Sequence, residues 1–381
     1  MDNSLLLVTS LARSYHTDTL LDELNALLEQ KVDWQQVARL IRSHRVSALC
    51  LQTLRKIHHE AVPAELLQTL QDDCSESTRN ALVLMSALQR LVQLIHSTGI
   101  AVICFKGVVA AQLIYGQLSM RNFSDIDLFV RQSDHQRTEH LLVENGFRIT
   151  HRYDNAFQSG LRDEQRRVNV DLHWGIPPSE LNLAFHLLWD DISSINIGNH
   201  AIPTFSLPDT IILTAVNAVK EYWDARLYRF CDLAELIQGH PHLDWNGLFR
   251  RAKQLGCQRM LYVALLIAEK LLGAPLPHDV ATTLSKHQDL TPLIDEIMAQ
   301  IEVAHLTSKD DGYHQTRVMK SDKHFFMQLQ DSAWCRFHYW WRWVTTPNAA
   351  DRQFIPLPRA LNSLYCLIRP LRLLLQRTKG A

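Results

Sequence analysis

Two aspartates separated by one residue are the part of this 381-residue sequence best suited to chemistry. Asp125 and Asp127 begin the apolar run DIDLFV, a pattern typical of a buried β-strand. Side chains two positions apart on a strand point to the same side of the sheet, so both carboxylates should project together. Two close carboxylates repel each other and raise each other's pKa, and a divalent cation relieves that repulsion. Oxygen ligands favour Mg²⁺, or Mn²⁺, at such a pair.

A second feature lies immediately upstream. An apolar run over residues 101–105 ends at Lys106-Gly107, and a helical pattern covers residues 108–115. A glycine at a strand-to-helix corner lets a phosphate approach the backbone amides at the helix N-terminus. Lys106 is either a group that contacts this phosphate or a surface lysine at the end of a strand. The stretch therefore predicts a phosphate site followed by a metal site on the next strand.

The order of strand, glycine corner, helix and Asp-x-Asp strand resembles the DNA polymerase β-type nucleotidyltransferase superfamily. The longer sequence around these motifs is similar to that of one bacterial branch of the superfamily, the largely uncharacterised nucleotidyltransferase family. The residues that carry this likeness are Phe105-Lys106-Gly107, Tyr115, Arg121, Ser124-Asp125-Ile126-Asp127-Leu128 and Asp171-Leu172-His173-Trp174. The resemblance extends, more weakly, from about Leu20 to about Ile237.

The resemblance implies a magnesium-dependent enzyme that moves a nucleoside monophosphate from an NTP to a hydroxyl of a small molecule, peptide or protein. It assigns catalysis and metal binding to Asp125, Asp127 and Asp171, the last from a neighbouring strand. Two magnesium ions ~4 Å apart would span the attacking and leaving oxygens, and the ion that activates the acceptor would need Asp171. The residues expected to bind the nucleotide are Lys106, Gly107, Arg121 and Lys220, with His173 and Asp232 as accessory residues.

Each of these side chains also has an ordinary structural interpretation. Arg121 would bind phosphate, or would pair with one of the two aspartates on the Asp-x-Asp strand. Lys220 would face the phosphates, or would pair with Asp224 on a solvated helix face. His173 would orient Asp171 or the acceptor, or would simply pack in the sheet.

Val108 departs from the superfamily pattern, because a glycine or serine is usual after the corner glycine. Phosphate binding would then depend more on Lys106. This favours an alternative function, a catalytically degenerate protein that binds a nucleotide or a partner without turnover.

Composition limits the class of protein. Hydrophobic residues make up 46% and charged residues 21% of the sequence, as in ordinary globular proteins, and no apolar stretch approaches 18 residues. The net charge of -1 does not favour a polynucleotide substrate. Seven scattered cysteines without a Cys-x-x-Cys pair indicate reduced thiols in the cytoplasm. The first residues lack the basic region and cleavage site of a signal peptide.

Periodicity predicts strands between mostly helical N-terminal and C-terminal regions, and the resemblance implies that the strands form the small mixed β-sheet of a nucleotidyltransferase core, an α+β fold. The expected division is a helical region over 1–99, the α/β core over 100–206, a helical domain over 207–306 that completes the acceptor cleft, and a C-terminal part over 307–381. The helix after Asp209 should be hinged near residues 222–226, and residues 203–208 should form a turn-rich linker.

The C-terminal part combines tryptophans at helical spacing with a later leucine stripe and several arginines. Such helices either pack on their own domain or dock on a membrane surface or a partner protein. The third interpretation of the chain is thus an adaptor that binds through this segment, with the acidic pair incidental.

Overall fold

The computed structural model describes residues 2–13, 17–57, 60–152, 157–176, 181, 183–303 and 323–378. Five helices precede the sheet, and amphipathic leucine and isoleucine spacing explains why each buries one face. They are α1 (Asn3–Leu11), α2 (Asp18–Leu28), α3 (Trp34–Ser43), α4 (Ser47–Ile57) and α5 (Ala64–Ser97).

The central sheet has five strands in the order β1-β2-β5-β4-β3, and only the β2–β5 pair is parallel. The strands are β1 (Val102–Phe105), β2 (Asp125–Val130), β3 (Phe147–Arg152), β4 (Gln158–Asp163) and β5 (Val168–His173). Two helices connect the early strands: α6 (Gly107–Tyr115) and α7 (His135–Glu144). A separate hairpin follows, formed by β6 (Ile192–Ile197) and β7 (His200–Phe205).

The rest of the described chain is helical. Its helices are α8 (Leu207–Lys220), α9 (Leu227–Gln238), α10 (Trp245–Leu255), α11 (Gln258–Leu272), α12 (His278–Ser285), α13 (Thr291–Val303), α14 (residues 323–328), α15 (Ala333–Thr345), α16 (Ala349–Phe354) and α17 (Tyr365–Thr378).

Two hydrophobic cores cover the two faces of the sheet. One joins the sheet to α6, α7 and the C-terminal half of α5, through residues such as Leu88 and Ile95. The other joins the opposite face to α1–α4, to the N-terminal end of α5 and to α8–α13, through residues such as Phe129 and Phe205. Because both faces are covered, β2 is apolar along most of its length, and the two aspartates at its beginning stand out.

The α+β class is confirmed, and the predicted succession of strand, helix and Asp-x-Asp strand is present as β1, α6 and β2. Strand β4 and the β6–β7 hairpin were not predicted from the sequence. The hinge near 222–226 is confirmed as well, since a 3₁₀ turn at Tyr222–Asp224 separates α8 from α9. The linker prediction was wrong, because residues 203–205 end β7 and α8 begins at Leu207. No described helix is both long and apolar enough to cross a membrane. The four-part division of the chain stays a prediction.

Candidate active site

The three predicted carboxylates lie on one face of the sheet. Asp127 is the parallel register partner of Asp171, and Asp125 precedes Asp127 by two positions on β2. The intervening side chains of β2 fill the core beneath the sheet: Ile126, Leu128 and Val130. The carboxylates must therefore point to the other side. The alternation of β2 and the pairing of β2 with β5 bring together residues 44 or more positions apart in sequence.

Asp127 is the most strongly held of the three. Lys106 Nζ and His173 Nε2 each donate to Asp127 Oδ1 at 3.0 Å. Burial opposes ionisation of Asp127, but Lys106 and His173 outweigh it and hold the pKa of this carboxyl well below its usual range. Burial also lowers the pKa of His173 to about 4, so the imidazole is neutral and donates from Nε2. Sequence reasoning had linked His173 to Asp171, whereas the structure links it to Asp127.

Asp171 has a different environment. Gln158 Nε2 donates to Asp171 Oδ2 at 2.6 Å, and no described cation pairs with this carboxylate. Burial and then the charge of Asp127 raise the pKa of Asp171 to about 7. Burial and then Asp127 also raise the pKa of Asp125. The cluster thus concentrates negative charge that its own protein neighbours only partly neutralise.

The donor set fits a divalent cation. Ligand atoms of Asp127, Asp171 and His173 all lie within 4.8 Å of one another. Carboxylate oxygens dominate the cluster, which suits Mg²⁺ or Mn²⁺, and the imidazole nitrogen would suit Mn²⁺ better than Mg²⁺. Asp125 lies beside this group on the same face, within the same cleft.

The corner between β1 and α6 lies directly against β2. Gly107 has φ +40°, and a Cβ atom placed on it would lie 3.1 Å from the carbonyl oxygen of Asp125. Lys106 has φ +57°, a conformation that residues other than glycine seldom adopt. The backbone therefore takes an unfavourable path that brings the N-terminus of α6 next to the acidic cluster.

A cleft of about 350 Å³ opens above the cluster. It brings together eight of the nine predicted site residues; the ninth, Asp232, lies behind Arg121. Its walls also include residues outside the predicted set of site residues: Arg45, Gln158, Asn217, Glu221, Tyr228 and Arg229. Arg45 comes from the N-terminal helices, whose sequence carries no recognisable chemical motif.

Lys220 lies at the end of α8, buried, with Nζ 3.5 Å from Glu221 Oε1. It is thus part of the cleft wall and does not form the predicted solvated pair with Asp224. Glu221 also receives a hydrogen bond from Arg229. Burial opposes ionisation of Glu221, but Arg229 and then Lys220 lower its pKa to about 2. The far wall therefore carries two cations that share one carboxylate.

Arg121 pairs with neither aspartate of β2. Its Nε donates to Asp232 Oδ2 at 2.9 Å, and Tyr115 Oη donates to Asp232 Oδ1 at 2.9 Å. All three side chains are largely buried between α6 and α9. The network fixes the loop that precedes β2, and a nucleotide-binding role for Arg121 stays a prediction.

Replacing Asp232 by asparagine should reduce the free energy of unfolding by about 3 kcal/mol, because the buried Arg121 guanidinium would lose its counter-charge. Urea unfolding monitored by circular dichroism measures this change. Glu164→Gln is the matched control, since its partner Arg148 is 71% exposed and exposed pairs contribute little. Equal destabilisation by the two substitutions would contradict the structural role given to Asp232.

A narrower cavity of about 50 Å³ continues from the cleft toward the hairpin and α8. Its walls are mostly apolar: Val109, Ala110, Leu113, Ile176, Phe205 and Leu213. Lys106, His173 and Asn217 line both spaces. The Asn217 Oδ1 atom is buried and has no hydrogen-bond partner among the described residues. This cavity lies between the sheet and the helices after Asp209, and its use as the acceptor cleft stays a prediction.

The chain matches a known protein family over most of its length. A family profile described as "Uncharacterised nucleotidyltransferase" matches residues 30–273, well over half of the chain. No curated protein matches the sequence. One similar solved structure is a crystal structure of an antigenic nucleotidyltransferase-like protein from Paracoccidioides brasiliensis, with 15% identity and a TM-score of 0.36. That alignment covers 58% of this chain and 94% of the other chain.

Proposed function

We propose that this protein is a Mg²⁺-dependent enzyme that acts on a hydroxyl acceptor. The premise is that the chain belongs to the uncharacterised nucleotidyltransferase family and is a nucleotidyltransferase. It would transfer a nucleoside monophosphate from an NTP to a small molecule, peptide or protein. The observation that carries this proposal is the face shared by Asp125, Asp127 and Asp171 beside the Gly107 corner. The motif order supports membership of the DNA polymerase β-type superfamily and of its bacterial branch.

Asp125, Asp127 and Asp171 would hold the metal. When bound, Mg²⁺ would neutralise charge on the triphosphate and lower the pKa of the attacking hydroxyl. Manganese is the alternative ion, because carboxylate oxygens suit Mn²⁺ as well as Mg²⁺. The scattered free cysteines support a cytoplasmic location.

The protein's own groups would mainly position the reactants. Backbone amides at the start of α6, at Gly107, would donate hydrogen bonds to phosphate oxygens. Lys106 and Lys220 would add positive charge on two sides of the phosphates. His173 holds Asp127 in one orientation. This division leaves little covalent chemistry to the side chains, so catalysis would rest on orientation and electrostatics.

The acceptor would bind in the cleft at the mouth of the narrow cavity between the sheet and α8. The apolar walls of the cavity favour an acceptor with a small apolar group that points into it, and Asn217 Oδ1 would accept a hydrogen bond from the acceptor. A polynucleotide fits poorly, because the net charge is -1 and the cavity is narrow.

The test is calorimetric titration of the full chain with each of the four NTPs, with and without Mg²⁺. Wild-type protein should bind at least one NTP only when Mg²⁺ is present, and an Asp125→Asn/Asp127→Asn double variant should not. Release of pyrophosphate in an acceptor screen then separates the enzyme from a degenerate nucleotide-binding protein. Failure of folded wild-type protein to bind any NTP would contradict the proposal.

A second function, docking on an anionic membrane surface, is favoured by one observation. Residues 332–381 contain eight basic residues and one acidic residue, a net charge of +7. The acidic residue, Asp351, is buried and accepts hydrogen bonds from Arg369 and Arg372. On α15 and α17 large apolar side chains at helical spacing remain exposed: Trp334, Phe337, Trp341, Leu367, Leu371 and Leu374. Exposed aromatic and aliphatic side chains beside basic residues match the interfacial region of anionic bilayers.

The wild-type protein should co-sediment with vesicles containing phosphatidylglycerol, and less with vesicles of phosphatidylcholine alone. Replacing Trp334, Trp341 and Leu371 by serine should weaken this binding at least about tenfold, because each substitution removes apolar area that the membrane would bury. Leu82→Ser/Val83→Ser is the control, because these residues are similarly exposed on α5. A wild-type protein that self-associates through this face without binding vesicles would assign the face to a second copy of the chain.

A further inference from the structure

Arg45 occupies a position that normally belongs to glycine. Helix α3 ends in a Schellman motif, in which Val46 N donates to the carbonyl of Ile41 and Arg45 N donates to the carbonyl of Arg42, both at 3.1 Å. The residue after the helix cap takes a left-handed conformation in this motif, and Arg45 has φ +58°. An L-residue with a Cβ atom is strained there.

The same chain uses glycine at equivalent positions elsewhere. Gly256 ends α10 with φ +78°, and Cys257 N then donates to the carbonyl of Ala252 in the same pattern. Gly273 ends α11 with φ +63°. A local backbone requirement therefore does not explain the arginine. Strained residues of this kind cluster at functional sites, where the side chain serves a purpose that the backbone does not.

Contacts from α9 fix where this turn lies. Arg226 Nη1 donates to the carbonyl of Ser43 at 2.8 Å, and Tyr228 N donates to the carbonyl of His44 at 3.3 Å. The Arg45 guanidinium carbon lies 5.7 Å from the centre of the Tyr228 ring. The turn is thus attached to the wall of the active-site cleft, and Arg45 lines that cleft.

Three arginines surround Tyr228, and their partners differ. The guanidinium carbons of Arg121 and Arg229 lie 5.5 and 5.1 Å from the centre of the ring. Arg121 is neutralised by Asp232 and Arg229 by Glu221. The Arg45 guanidinium makes no hydrogen bond and no ion pair with the described residues. It is therefore a half-buried cation in the cleft whose hydrogen-bond donors are available to a ligand.

The Gly107 corner has one cationic side chain of its own, Lys106, and one of the ammonium's three N–H groups is already used. Val108 offers only its backbone amide, and the Lys106 ammonium donates to Asp127. Arg45 and Gly107 line the same cleft on the side of Asp125, and Arg45 is close enough to favour the ionised form of that carboxyl.

We propose that Arg45, which belongs to the N-terminal helical region, binds the terminal phosphates of the NTP. Its guanidinium would make the side-chain contact to phosphate that Val108 cannot make. This inference rests on the proposed function. A planar guanidinium with several donors suits two phosphate oxygens at once. The N-terminal helical region thereby becomes part of the nucleotide site.

Arg45→Gly tests this, because it should change stability and binding in opposite directions. Relief of the left-handed strain should raise the melting temperature by about 1–2 °C. Loss of the guanidinium should weaken binding of the preferred NTP in Mg²⁺ about tenfold, and binding of the corresponding nucleoside monophosphate much less. Calorimetry of the full chain with both nucleotides measures the ratio of NTP affinity to monophosphate affinity.

Arg45→Lys should recover only part of the NTP preference, since it restores charge but not the planar fork. Arg39→Gln is the control, because Arg39 is exposed on α3, and its replacement should leave both dissociation constants unchanged. An unchanged ratio of NTP to monophosphate affinity in Arg45→Gly would overturn the inference while leaving the proposed function standing. A lower melting temperature would overturn the argument from strain. Wild-type protein that binds no NTP would instead overturn the proposed function itself.

Discussion

Replacing Asp127 by asparagine should lower the rate of nucleotidyl transfer by roughly a thousandfold while leaving the protein folded. Asp127 is central in the acidic cluster: it accepts hydrogen bonds from Lys106 and His173 and lies opposite Asp171 in register. Asparagine removes the charge on which this arrangement depends. It retains nearly the same volume and an oxygen that can still accept from His173, so packing should change little.

The rate is measured as release of pyrophosphate from the NTP that wild-type protein binds, with the acceptor found by screening. Thermal unfolding of the same samples separates lost chemistry from lost structure. Asp22→Asn, an exposed carboxylate on α2, is the matched control. Transfer at the normal rate by folded Asp127→Asn protein would exclude the proposed metal site.

Asp171→Asn should separate nucleotide binding from transfer. We expect the transfer rate to fall at least about a hundredfold, with Mg²⁺-dependent NTP affinity reduced only a few-fold. The reason is the strand order. The Gly107 corner follows β1 and touches the backbone of Asp125 on β2, whereas Asp171 lies one strand farther, about 4.8 Å away. With the triphosphate at the Gly107 corner, as proposed, Asp171 would lie nearer to the acceptor than to the triphosphate.

Single-turnover kinetics with calorimetry on the same preparation distinguishes the two effects. Gln158→Met removes the hydrogen bond to Asp171 but keeps its charge, and should have a smaller effect on transfer. Equal losses of binding and transfer in Asp171→Asn would place this carboxylate on the donor side.

The period of a β-strand accounts for what the sequence predicted well. Two residues per repeat put Asp125 and Asp127 on one face whatever surrounds the strand. The glycine corner is similarly local, since a positive φ at Gly107 follows from a tight strand-to-helix path. Asp171 required one more assumption, the pairing of β5 with β2, and the resemblance supplied it. The roles of these residues in metal and nucleotide binding stay predictions.

What the sequence did not reveal depends on contacts between distant segments. Arg45 reaches the cleft only because α9 holds the end of α3, a contact across more than 180 positions. Strand β4 reads QSGLRD, which is polar enough to resemble a loop, so Gln158 was not recognised as a neighbour of Asp171. The pair of Arg121 and Asp232 was not predicted for the same reason, because the loop after α6 and helix α9 meet only in the folded chain.

The 34-residue helix α5 constrains how this enzyme can move. At 1.5 Å per residue it is about 50 Å long. Leu66 and Leu70 near its beginning belong to the core that packs α1–α4 and α8–α13 on one face of the sheet, and residues from Leu84 to Ile95 belong to the core on the other face. Because one continuous helix is built into both cores, a hinge between the two bodies would have to bend it. We expect substrate entry to depend on loop motion and side-chain rearrangement. The N-terminal helices and the sheet should stay fixed relative to each other, as one rigid unit, throughout the catalytic cycle.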